Sequence, residues 1–342
     1  VNLVRAELER LGARRFVQLM LVLLVLAFGV TAATTLANSH RPSTQELAAA
    51  ERQATMARIE LEHAYQRCLE QRRGLATADD MDEQEEPEYF PADCSEVDPA
   101  LLERAPVAAD FLTGVFTFAE EAEPLLYFLI AFLALFGFLV GASYIGADLN
   151  SGGVVNLLLW RPRRMTVLGT KLGTLLGGTA LLSVLASAAY LGTFWLIGRF
   201  AGRPGRLDGE FWGSLGETWG RGMLLVLLLT VIGFAVATLG RHTSAALGVI
   251  AGYVVVWELG ARLVMEILDV VKVDRYMLSS HAAALLNGRI EFWDYRACDN
   301  GVSNSCNGLY VITWQSSLVL LLGLTAALTA AAFVAFRRRD LM

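Results

Sequence analysis

Six blocks of continuously apolar residues dominate the chain, each long enough to cross a lipid bilayer as a helix. They are Phe16 to Ala37, Leu125 to Ala147, Leu172 to Gly198, Met223 to Leu239, Ser244 to Leu268 and Tyr310 to Phe336. A crossing helix needs about 20 mostly apolar residues, and none of the blocks alternates as the strands of a membrane barrel would. The composition, 55% hydrophobic and 18% charged, is too apolar for a water-soluble domain of this length. The expected fold is therefore all-α: a polytopic membrane protein with six transmembrane helices. The first block follows arginines and ends in small residues, as a secretory signal does, but its apolar stretch exceeds the roughly 7 to 15 residues of a signal core. An uncleaved crossing fits it better.

Basic residues set the expected orientation. Arg5, Arg10, Arg14 and Arg15 precede the first crossing; Arg161, Arg163, Arg164 and Lys171 lie between the second and third; Arg337, Arg338 and Arg339 follow the sixth. With six crossings these groups share one side, expected to be the cytoplasm, with both termini in it. Arg199, Arg203 and Arg206 fall on the other side and run against the pattern. Residues 38–124 carry 20 acidic and 7 basic residues, a net −13 against −6 for the whole chain, which leaves +7 for the rest. The acidic balance thus belongs to an extracytoplasmic insertion on a basic membrane body, and nucleic acid is not an expected partner.

All four cysteines fall on the predicted outer side. Cys68 and Cys94 are in the acidic insertion, and Cys298 and Cys306 lie between crossings five and six, in the extracytoplasmic segment 269–309. An even number confined to an oxidising compartment favours disulfides, Cys68 with Cys94 and Cys298 with Cys306. A metal site is the competing reading, and no ligand spacing supports it.

Residues 1–15 have the pattern of an amphipathic helix, with Val4, Leu8 and Leu11 on one stripe, lying on the inner membrane surface or extending the first crossing. No chemistry is expected of it. In the outer insertion Ser43 and Glu46 form a capping-box pattern, and no Gly or Pro follows until Gly74, which predicts a helix of about 30 residues. Leu47, Ala50, Ala54, Ala57, Leu61, Ala64 and Cys68 make one seam along it, expected to pack within the chain. Gly169, Gly173 and Gly177 recur at the spacing that lets helices approach, again read as packing within the chain. Glu258, Arg262 and Glu266 recur every fourth residue on the fifth crossing. They are expected to form a structural ion-pair ladder near the outer face, with Glu258 and Arg262 as an intramembrane pair, in preference to a substrate contact, because lone ions there are costly.

The stretch Gly141 to Leu172 reads GASYIGADLNSGGVVNLLLWRPRRMTVLGTKL. A crossing ends, an acid and small residues follow, then come a short apolar helix, a basic proline turn and a lysine where the next crossing opens. It resembles the coupling-helix region of ABC type 2 permeases, the membrane subunits of many bacterial ABC exporters. The resemblance rests on Asp148, Ser151, Gly152, Gly153, Leu157, Leu158, Leu159, Pro162, Arg164 and Lys171. The acid is Asp where Glu is common, and the proline-to-arginine interval is one residue short. Leu239 to Gly252, LGRHTSAALGVIAG, is similar to the family's tight turn between crossings four and five.

The resemblance implies a cytoplasmic coupling helix within residues 148–165 that docks a cytosolic ABC ATPase through Asp148, Val154, Val155, Leu157, Leu158, Pro162, Arg163 and Arg164. It implies two ATPase subunits carrying ATP and Mg, and a second permease chain as homodimer or heterodimer, in the bacterial cytoplasmic membrane and in contact with its lipid. The acidic insertion leaves room for an accessory protein. The chain has no G-x-x-x-x-G-K-[ST] phosphate loop, no G-x-S-x-G elbow and no H-E-x-x-H motif. It is expected to be non-catalytic and to hold no cofactor. The expected function is that of an exporter permease; the alternative is the membrane subunit of a mechanotransmission or sensor complex acting through the outer insertion.

Overall fold

The computed structural model describes residues 2–72, 94, 97–101, 105–151, 164–294 and 308–338. Among them are six helices long and apolar enough to cross a membrane, and the chain is an all-α polytopic membrane protein. A short helix α1 (Asn2–Gly12) precedes the first span, α2 (Arg15–Asn38), and α3 (Thr44–Arg72) follows it. The next spans are α4 (Phe118–Asn150), α5 (Arg164–Ala201) and α6 (Gly209–Gly240). The fifth span is α7 (Thr243–Gly252), continued by π-helical turns over Tyr253–Ala261 into α8 (Arg262–Ile267). A short α9 (Leu278–Asn287), two strands β1 (Arg289–Trp293) and β2 (Leu309–Thr313), and the sixth span α10 (Trp314–Arg338) complete the order.

The residues form two compact units, the first made of Val1–Ala32, Ala122–Thr193 and Arg206–Met342, the second of Ala33–Glu121 and Phe194–Gly205. In the first, α4 and α6 approach closely because glycine removes the side chain at their crossing. A Cβ on Gly141 would stand 2.5 Å from the Thr230 carbonyl oxygen, and one on Gly233 would stand 2.3 Å from that of Phe138. Backbone contact of this kind is how small residues hold helices together where lipid gives no hydrophobic drive. The threonines buried beside it back-bond within their own helices, Thr230 to the Val226 carbonyl at 2.8 Å and Thr238 to that of Phe234 at 2.7 Å, so no hydroxyl there is stranded in an apolar core.

One end of this unit gathers the starts of α2 and α5 with the ends of α4 and α10, through Val17, Leu168, Ile145 and Phe336. The turn from α6 to α7 belongs to the same end. Arg241 takes a left-handed conformation there, φ 59°, and Gly146 of α4 leaves space for it, since a Cβ would meet the Thr243 backbone nitrogen at 2.6 Å.

Further along the unit, α9 packs its Leu285 against Leu225 and Leu228 of α6 and Leu321 of α10. Ten residues span about 15 Å, too short to cross a bilayer, and the chain turns after α9 at Gly288, φ 83°. An antiparallel hairpin follows, pairing Arg289 with Thr313 through Trp293 with Leu309. The run from Tyr310 to Thr313, which reads as the opening of the sixth crossing, is thus strand.

In the second unit α3 carries the expected cap: the Ser43 backbone N–H donates to Glu46 at 2.6 Å, and the Glu46 N–H donates to the Ser43 hydroxyl at 3.2 Å. Its alanine seam faces inward, with Ala50, Ala54 and Cys68 buried. The partner is in the chain, as expected: Cys68 is bonded to Cys94, and Arg58 donates to the Pro106 carbonyl at 2.7 Å.

Candidate functional site

The strongest concentration of chemistry in the first unit is an ionic cluster at the end where α1, α4 and α5 meet. Two of its members flank the predicted coupling region: Asp148 in the last turn of α4, and Lys171 in the third turn of α5. Lys171 Nζ donates to Asp148 Oδ2 at 2.7 Å and to Glu7 Oε2 at 2.8 Å. Its side chain is 2% exposed and that of Glu7 3%, so this ammonium is neutralised entirely within the protein. The Tyr144 hydroxyl also donates to Glu7.

Arg14 completes the set. It stands in the break between α1 and α2, which Gly12 opens by its low helix propensity, and it donates to Asp148 and, at 3.1 Å, to the Ser143 carbonyl. Arg14 and Lys171 both lie over the Tyr144 ring, at 4.9 and 4.8 Å from its centroid, a favourable place for desolvated cations. Two carboxylates therefore face the two inner cations, Arg14 and Lys171, so that the inner set is electrically balanced, and the more exposed Arg10 reaches Glu7 from outside at 3.7 Å. Removal of one member would leave an uncompensated charge, an effect of about 3 to 5 kcal/mol.

The cluster pins the base of the segment 149–170 by joining its two flanking residues. Of the residues expected to dock an ATPase, Asp148 lies in the cluster and Arg164 opens α5; Val154, Val155, Leu157, Leu158, Pro162 and Arg163 lie outside the described residues. Glu7 corrects the expectation that the N-terminal helix has no chemistry. It sits among charged positions of an amphipathic pattern, which read as a solvent face, yet it is buried.

Of the expected ladder the Arg262–Glu266 rung is formed, whereas Glu258 takes its hydrogen bonds elsewhere than from Arg262. Arg262 donates to Glu266 at 3.0 Å and lies 3.3 Å from Asp274. Glu258 accepts from the Tyr253 hydroxyl at 2.6 Å, and from the Ser279 backbone N–H and hydroxyl at 3.0 and 2.7 Å. The cause is the π winding over Tyr253–Ala261, which brings residue i+5 below residue i; α winding resumes at Arg262, so its own i+4 partner, Glu266, comes into reach. Asp274 also accepts from the Tyr310 hydroxyl at 2.8 Å. Burial first, and then that carboxylate, push the phenol up from its ordinary value.

The glycine stripe also departs from expectation, since a Cβ on Gly169, Gly173 or Gly177 would meet nothing within 4 Å. Gly173 and Gly177 instead line a cavity of about 400 Å³ with Leu8, Thr170, Thr174, Gly178 and Leu181. Cys298 and Cys306 lie outside the described residues. Among the described residues no cluster of His, Cys, Asp and Glu is arranged to hold a metal.

Compared with known families, residues 1–341 match the model of the ABC-2 family transporter proteins. No curated protein matches the chain.

Proposed function

The chain belongs to the ABC-2 transporter family, and on that premise we propose that it is the permease of an ABC exporter, driven by a separate cytosolic ATPase. Two permease chains, alike or different, would work with two ATPase subunits that carry ATP and Mg, in the bacterial cytoplasmic membrane with both termini inside. The docking surface would be the segment from Asp148 to Arg164, with Val154, Val155, Leu157 and Leu158 supplying apolar contact and Arg163 and Arg164 meeting carboxylates of the ATPase.

The observation that carries this reading is the Asp148–Lys171 contact. Because it ties the end of α4 to the start of α5 at the base of the intervening segment, a push on that segment reaches two membrane helices together. A solvated loop would have no use for a buried ion pair at its root. The mechanotransmission reading has one observation in its favour, the 29-residue α3 braced by the Cys68–Cys94 bond. The two separate experimentally when the permease is purified with its encoded ATPase and reconstituted in vesicles. Export requires ATP-dependent movement of a solute or lipid across the bilayer; ATP-driven displacement of α3 with no cargo moved would favour mechanotransmission; absence of any co-purifying ATPase would contradict both.

A further inference from the structure

We propose that Glu7 is a positioning residue for coupling: through Lys171 it locks α1 onto the two helices that flank the 149–170 segment, making α1 part of the unit that moves with them. The proposal rests on the reading of that segment as the ATPase dock.

Three observations lead to it. First, Glu7 contacts both α4, through the Tyr144 hydroxyl, and α5, through Lys171, while on its own helix it lies 3.7 Å from Arg10. Second, beside this ionic tie the described apolar contacts of α1 fall near its end, where Leu11 packs against the core and Leu11 and Leu8 stand 3.3 and 3.7 Å from the position a Gly178 Cβ would take, Leu8 being 44% exposed. A surface helix needing only a membrane contact would not bury a carboxylate against an ammonium. Third, Arg14 in the hinge binds Asp148, which shares Lys171 with Glu7. The angle of α1 and the separation of Asp148 from Lys171 are therefore set by one connected group of charges, and a displacement of either flank of the segment moves α1 with it.

The charge balance supplies a test that a purely stabilising role would not pass. Glu7→Gln leaves an unbalanced buried cation and cuts the tether. Glu7→Gln combined with Lys171→Met restores balance, leaving Asp148 with Arg14, but the tether stays cut. Because this pair also removes the Asp148–Lys171 contact, Lys171→Met alone is the reference, and the cross-link below attributes the loss to α1. We expect the single variant to lose both thermal stability and coupled ATP hydrolysis. The double variant should recover stability while its coupled kcat stays about tenfold or more below wild type, with KM for ATP little changed. A second readout is independent of ATP: with Leu8→Cys and Gly178→Cys introduced, oxidation and peptide mapping should give an α1–α5 cross-link in the wild-type background and a much weaker one in the double variant. Recovery of stability and coupling together, or an undiminished cross-link in the double variant, overturns the proposal. If wild-type protein shows no ATP coupling at all, the export reading fails, and the cross-link still decides whether Glu7 holds α1.

Discussion

Tyr253 donates its hydroxyl hydrogen to Glu258, five residues further along the same helix, while the Leu278 backbone N–H donates to that hydroxyl at 3.1 Å. With the Ser279 N–H on Glu258 as well, the π-helical stretch satisfies the first two backbone donors of α9, which a helix cannot satisfy itself. The π turns thus have a structural consequence: they aim a phenol and a carboxylate together at the N-terminus of α9. Glu258→Ala should cost about 1 kcal/mol, since it removes the acceptor of three hydrogen bonds whose donors are exposed or half-buried and can turn to water. Arg262→Ala should cost less than about 1 kcal/mol, its ion pairs being half exposed. Because their hydrogen-bond partners are separate and only a through-space attraction links them, the coupling measured in a double-mutant cycle should stay below about 1 kcal/mol. Denaturation of the detergent-purified protein measures this, and a coupling above about 1 kcal/mol would mean that the two residues act as a pair.

The glycines divide into two classes with opposite expectations. Gly141→Ala and Gly233→Ala drive a methyl group into backbone oxygens and should destabilise the protein by about 1 to 3 kcal/mol. Gly169→Ala and Gly173→Ala meet open space and should be neutral or slightly stabilising, because alanine is the better helix former by about 1 kcal/mol. Thermal stability of the single chain in detergent distinguishes them, and equal losses at all four sites would contradict the α4–α6 contact described.

The disulfide closes a loop with a sequence separation of 26 residues. Chain entropy alone assigns such a loop about 3.5 kcal/mol, acting on the unit that contains α3. Non-reducing peptide mapping should recover a Cys68–Cys94 linked peptide, and reduction should make α3 sensitive to protease at temperatures where the oxidised form resists. The same map is expected to show Cys298 joined to Cys306; free thiols at all four positions would also undercut the outer location of these segments.

The Ser43 backbone N–H, and then its hydroxyl, hold the Glu46 carboxyl below its ordinary value of 4.5. A carboxyl whose folded value is depressed stabilises the fold above its unfolded value and loses that contribution as the pH falls through the folded one. The α3 cap should therefore be at full strength above about pH 4.5 and weaken only in more acidic solution. A carboxyl-carbon titration should place the Glu46 midpoint below 4.5, and Glu46→Gln should remove that transition. A midpoint at or above the ordinary value would mean that the cap is not formed.

Much of this architecture is legible because its signals are local. The six apolar blocks, the Ser43–Glu46 box and the alanine seam of α3 each depend on residues within a few turns of one another. The unread features depend on distant partners. Glu7 lies on the charged side of an amphipathic helix, and nothing near it in the chain announces Lys171, 164 positions away. The packing of α9 depends on Leu225 and Leu321, and strand β2 hides inside an apolar run that α10 continues without a break. Glu258 and Arg262 mislead for a different reason: their spacing is right for α winding, and the helix there is not α.

The claim on which the functional account turns is that the segment between Asp148 and Lys171 receives the ATPase. Leu157→Asp and Leu158→Asp, made separately, would bury an unpaired charge at such an interface while sparing the spans themselves. With the permease and its ATPase reconstituted together, the quantities to measure are permease level, ATPase co-purification and coupled ATP hydrolysis. The account expects normal permease levels in both variants, with co-purification and coupled hydrolysis reduced about tenfold or more. Normal assembly and normal coupled hydrolysis in both would contradict it and leave the segment an ordinary loop between two crossings.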